Sequence, residues 1–107
     1  MTKPVRIQLS RRKGWRMPPN TMKVDRTTKW GNPFVVGKHG TRAECVEYFG
    51  YMLNGYICLT EGDPDEQIAY RKMVIRDRAE LKGKNLACWC PLNAPCHADL
   101  LLQVKQP

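Results

Sequence analysis

The stretch Ala87-Cys88-Trp89-Cys90-Pro91-Leu92-Asn93-Ala94-Pro95-Cys96-His97-Ala98-Asp99 constrains this chain more than any other. It places three of the five cysteines and one of the two histidines within ten residues. An apolar approach, Asn85-Leu86-Ala87, leads in, and an apolar run of helical spacing, Leu100-Leu101-Leu102-Gln103-Val104, leads out. Side chains alternate across a strand, so Cys88 and Cys90 share one face and Trp89 takes the other. Pro91 and Pro95 bracket a tight connection, which sets Cys96-His97 at the start of a helix. Thiols and imidazole therefore converge where a strand ends and a helix begins, the place where α/β folds concentrate their chemistry.

The rest of the chain supplies a frame for that corner. Val5-Arg6-Ile7-Gln8-Leu9-Ser10 and Thr21-Met22-Lys23-Val24-Asp25-Arg26 alternate apolar and polar residues and read as half-buried strands. Between them, Gly14 and Pro18-Pro19 break regular structure in a segment that packs Arg11, Arg12, Lys13 and Arg16 around Trp15. The two strands are expected to pair through this basic loop, whose length points to a functional role. Trp30-Gly31-Asn32-Pro33-Phe34 is turn chemistry between two aromatics. Gly31 permits close backbone approach, and Pro33 pushes Asn32 toward extended geometry. That turn reads either as one pinned in the core by Trp30 and Phe34, or as one that offers Asn32 and nearby backbone amides to a ligand.

Thr41 followed by Glu44 is a capping box and opens a helix with Cys45, Val46, Phe49, Met52 and Leu53 on one face, closed by Asn54-Gly55. Cys45 and Cys58 read as small core residues. Asp63-Pro64-Asp65-Glu66 opens a second helix carrying Ile68, Ala69, Met73 and Val74, which bends or frays before Leu81. Lys82-Gly83-Lys84 turns into a strand over 86–90. The expected order is β-β-α-α-β-α, a small α/β or α+β layered fold in a single domain over 1–107. Its last strand, apolar and framed by helices, belongs in the centre.

Three chemistries suit the cysteine-histidine cluster. Cys88, Cys90, Cys96 and His97 form a legal zinc ligand set, although the spacing C-x-C-x5-C-H departs from paired C-x2-C knuckles. Alternatively, Cys96, its pKa lowered at a helix N-terminus, or Cys90 opposite it is the reactive thiol, with His97 and Asp99 as acid-base or orienting partners. The third reading is plain packing of a strand–helix corner.

Charge narrows the partner. The formal net charge is +8, and residues 1–43 hold eleven Lys/Arg against one acid while residues 44–107 hold seven against nine. A basic half on a small domain suits a nucleotide or nucleic acid, with Arg12, Arg16 and Arg26 drawing its phosphates. No apolar run approaches a bilayer span, and Met1-Thr2-Lys3-Pro4-Val5-Arg6 lacks the apolar core of a leader, so a cytoplasmic protein without a membrane is expected. An odd cysteine count in a reducing compartment favours thiols or metal ligands over disulfides.

The quoted motifs resemble the domain-of-unknown-function family numbered forty-three twenty-six, small proteins found in phages and bacteria. The resemblance rests on Lys13-Gly14-Trp15-Arg16; on Arg26, Thr28, Trp30, Gly31, Asn32, Pro33 and Phe34; on Leu81, Gly83, Lys84, Leu86, Cys88, Trp89 and Cys90; and on Pro95, Cys96, His97 and Asp99. It implies that Trp30–Phe34 and Cys88–Asp99 belong to one site and should meet in space. If the chain is phage-encoded, its compartment would be the host cytoplasm. A looser similarity is to another uncharacterised α/β family with a Cys-His-Arg helix start, from which Ala98 departs. That similarity implies a Rossmann-like three-layer arrangement and a nucleotide-type ligand.

Overall fold

Leu86, Ala87 and Cys88 are consecutive and all buried. Neighbouring strand residues face opposite ways, so the strand that carries them is covered on both sides. The computed structural model describes residues 4–104, so Met1-Thr2-Lys3 of the segment read for a leader lies outside it. Three strands, β1 (Arg6–Gln8), β2 (Thr21–Lys23) and β3 (Asn85–Cys88), form a parallel sheet in the order β1-β3-β2. Arg6 sits opposite Leu86 and Gln8 opposite Cys88 on one side, and Thr21 opposite Asn85 and Lys23 opposite Ala87 on the other. The last strand is central, as expected.

The expected pairing of the first two strands is not found, because β3 lies between them and both run parallel to it. The cause is apolarity. β3 needs cover on both faces, whereas the half-exposed alternation of β1 and β2 suits edges. Asn85 fixes the register: its Oδ1 accepts from the Val5 amide at 3.0 Å, and its own amide donates to the Asn20 carbonyl at 2.9 Å. The strands are shorter than the alternation suggested. β2 stops because Asp25 starts a turn, its carbonyl accepting from the Thr28 amide and its Oδ1 from the Thr27 amide.

The helices follow their caps. α1 (Arg42–Leu53) begins with the Thr41/Glu44 capping box and ends at Asn54, ahead of Gly55 at φ +93°. α2 (Pro64–Asp77) is capped by Asp63 Oδ1, which accepts from the Asp65 and Glu66 amides, and it tightens into a 3₁₀ turn over Arg78–Leu81. α3 (His97–Val104) begins at the cluster. The buried face of α2 differs from the expected one: Gln67, Tyr70 and Val74 are inside, whereas Ile68 and Ala69 are exposed. Two polar groups set that rotation. Gln67 binds both backbone groups of Cys58, at 2.7 and 2.8 Å, and the Tyr70 hydroxyl donates to the Trp30 carbonyl at 2.6 Å. Among the described residues, no helix is long and apolar enough to cross a membrane.

Trp30 and Phe34 are buried, so the turn between them is pinned in the core. Gly31 is what lets it close on the sheet. A Cβ there would lie 2.7 Å from the Arg26 Cα and 2.9 Å from the Asp25 carbonyl oxygen, and neither backbone atom can yield cheaply. Gly31→Ala should therefore destabilise the protein by about 1–3 kcal/mol. Urea unfolding at neutral pH would measure this, and an unchanged midpoint would refute the close approach.

Candidate functional site

The three parallel strands end together, and their carboxyl ends carry the chemistry. β3 delivers Cys88 and, just past its end, Cys90; the start of α3 delivers Cys96 and His97. Cys88 Sγ lies 4.0 Å from Cys90 Sγ, and Cys96 Sγ lies 3.8 Å from His97 Nδ1. The ligand atoms of Cys88, Cys96 and His97 all fall within 4.8 Å of one another, and all three residues are buried. Ligands on a tetrahedral zinc, bonded at about 2.0–2.3 Å, lie roughly 3.4–3.8 Å apart, so small side-chain adjustments would gather these atoms around an ion.

The imidazole is oriented for this. His97 Nε2 sits 2.8 Å from the Val24 carbonyl oxygen, which can only accept, so Nε2 carries the proton and donates. Nδ1 is left with its lone pair toward the thiols, the arrangement that metal-bound histidines show. Burial pushes the His97 pKa down and keeps the ring neutral. Among the thiols, hydrogen bonds from Cys90 and then Cys96 draw the Cys88 pKa down, so Cys88 is the first to become a thiolate. Cys96 moves the other way, raised by its hydrogen bonds to Cys88 and Cys90 and by burial, and it is 1% exposed. At Cys96, the helix-terminal thiol expected to be activated, those hydrogen bonds and burial act against ionisation.

The cluster forms one wall of a cleft of about 380 Å³, the size of a small-ligand site. Asn32 and Phe34 line it together with the cysteine segment, so the two motifs expected to meet do so. Arg26 and Arg42 also line it, and neither side chain pairs with a carboxylate among the described residues. Asp25 and Trp89, neither of them among the expected site residues, also line it. The Trp89 indole N–H donates to Asp25 Oδ2 at 2.9 Å, and Thr27 donates to Asp25 Oδ1 from its backbone and its hydroxyl. Burial pushes the Asp25 carboxyl up, but these bonds and the Lys23 ammonium at 3.6 Å outweigh it and hold it below the ordinary value. A lone acid in a basic half was the available signal for Asp25.

Other expected site residues lie elsewhere. Asp99 does not orient His97: it is exposed and faces Arg6 at 3.5 Å, while Val24 holds the imidazole. Arg6 is a buried guanidinium that ties the 91–95 connection to β1, donating from Nη2 to the Pro91 and Leu92 carbonyls at 3.1 and 2.7 Å. Asn32 borders the cleft, yet its amide is used within the fold, Oδ1 accepting from the Phe34 amide and Nδ2 donating to the Cys45 carbonyl. Trp30 belongs to the core, and Gly31 borders a smaller neighbouring hollow with Arg26. Arg12 and Arg16 are exposed on the β1–β2 loop, outside the cleft lining.

A parallel α/β domain with a cysteine-histidine cluster at the carboxyl ends of its strands is the class these observations define. The chain belongs to the family described as Domain of unknown function (DUF4326), whose model matches residues 7–106. No curated protein and no solved structure matches it.

Asp25 supplies a test of the local electrostatics. Its folded-state pKa is depressed, so its contribution to stability is present above the ordinary Asp value and is lost as the pH falls below about 4. Asp25→Asn should cost about 1–3 kcal/mol at neutral pH through the weakened hydrogen bonds of Trp89 and Thr27. It should also flatten the acid limb of the stability profile. Urea melts across that range would show both, and an unaltered acid limb would assign the loss to other carboxylates.

Proposed function

We propose that this domain holds a zinc ion through Cys88, Cys96 and His97, with Cys90 at the fourth position. The cleft beside it takes a phosphorylated ligand of the nucleotide or nucleic-acid type. The observation that carries the metal reading is the hydrogen bond from His97 Nε2 to the Val24 carbonyl. It fixes the tautomer and aims Nδ1 at two buried sulfurs that are within 4.8 Å of it and of each other. Structural zinc sites are closed by four protein ligands, and catalytic ones keep a position open. Cys90 is half-buried and borders the cleft, and as the fourth ligand it would close the site and make the ion a stabilising one. The phosphate reading rests on Arg26 and Arg42, two cations in the cleft lining with no carboxylate partner among the described residues.

The measurement is elemental analysis of the purified chain with thermal melts before and after chelation. One zinc per chain is expected, with the midpoint falling on chelation. Cys88→Ser should lose the ion. A metal-free protein with one fast-reacting thiol at neutral pH would overturn this reading in favour of a cysteine nucleophile.

A further inference from the structure

The cleft has a feature that a metal centre does not need. Trp89 borders it, 38% exposed, although a large aromatic next to buried cysteines would ordinarily be tucked into the core. Its ring is held in a set orientation by the 2.9 Å bond from its indole N–H to buried Asp25. The only partner over its face among the described residues is Arg11, whose guanidinium carbon lies 4.6 Å from the ring centroid. Arg11 belongs to the β1–β2 loop, so the contact brings that loop to the mouth of the cleft. The same loop exposes Arg12, Lys13 and Arg16, which form no ion pair among the described residues.

We infer that Trp89 is a stacking platform for a nucleobase and that the ligand of this cleft is single-stranded nucleic acid, its backbone running along the β1–β2 loop. The inference rests on the proposed reading of the cleft as a phosphate-ligand site. A flat aromatic face held in place, with an arginine stacked on it and further cations alongside, is how proteins bind single strands, since every base has a π-face. Arg26 and Arg42 would meet the phosphate of the nucleotide that enters the cleft. Arg11, Arg12, Lys13 and Arg16 would meet its neighbours, and a free mononucleotide would leave those four cations unused. A duplex fits poorly, because its bases are already stacked on one another and present no face to Trp89.

Fluorescence anisotropy of a labelled oligothymidylate tests this with the chain of residues 1–107, whose zinc content is measured on the same sample. The single strand should bind at least about tenfold tighter than a duplex of the same length, with affinity falling steeply as salt rises. Trp89→Ala should weaken binding about tenfold or more, and Trp89→Phe should keep most of it, because the ring face survives while the bond to Asp25 is lost. Binding should also quench a component of tryptophan emission that is missing in Trp89→Phe, a readout that stands even if Trp89→Ala does not fold. Equal affinity for duplex and single strand, absence of the Trp89-dependent quench, or a folded Trp89→Ala protein that binds like the parent would each overturn the inference. Zinc retained without a Trp89 response removes the stacking surface alone. A quench in zinc-free protein supports the stacking surface and removes the metal centre.

Discussion

The hydrogen bond from the buried His97 ring to the Val24 carbonyl joins the two halves of this molecule. Val24 follows β2 in the basic N-terminal part, and His97 opens α3 in the C-terminal part. The bond satisfies a carbonyl at the very end of the sheet, where no further strand residue is available to pair with it. It also holds the imidazole against Phe49 of α1, ring centroids 5.3 Å apart, and leaves the second nitrogen for the thiols. Packing and chemistry therefore share one side chain. Replacing it would open a hole beside Phe49 and remove a donor from the cluster at once.

Around that bond the donors have different supports. Cys88 sits on the central strand, Cys96 and His97 on a helix start, and Cys90 on the irregular connection that Arg6 ties down from below. The buried donors thus sit at the ends of regular elements, and the half-buried one sits on the connection between them. Asp25 plays the corresponding part on the opposite wall, where a single carboxylate terminates β2 and positions Trp89.

Much of this was legible in the residues. Thr41 with Glu44, Asp63 before Pro64, and Asn54-Gly55 announced their helix ends, because caps are local chemistry that tertiary contacts rarely override. The meeting of Cys88 with Cys96 and His97 followed from a strand end and a helix start joined by a short proline-bracketed turn, whereas Cys90, expected on the strand, lies just past its end. What was not legible depended on distant partners. The separation of β1 and β2 by β3 is set by which strand most needs burial. The face of α2 is set by Gln67 and Tyr70 reaching backbone atoms of Cys58 and Trp30, which no periodicity encodes. Asp99 looked like a partner for His97 on sequence proximity, yet neighbours on a helix face different ways and its carboxylate turned to Arg6.

The central position of β3 also has a bearing on the order of events during synthesis. Both edge strands come early in the chain and neither pairs with the other, so the sheet has no second member until residues 85–88 have emerged. The tie from Val5 to Asn85 spans 80 positions, a long-range closure of the kind that slows folding. The ribosome releases the central strand and the four sulfur and nitrogen donors almost in the same breath. Closure of the sheet and assembly of the cluster are therefore one late event, and a nascent chain cut short before residue 85 has neither.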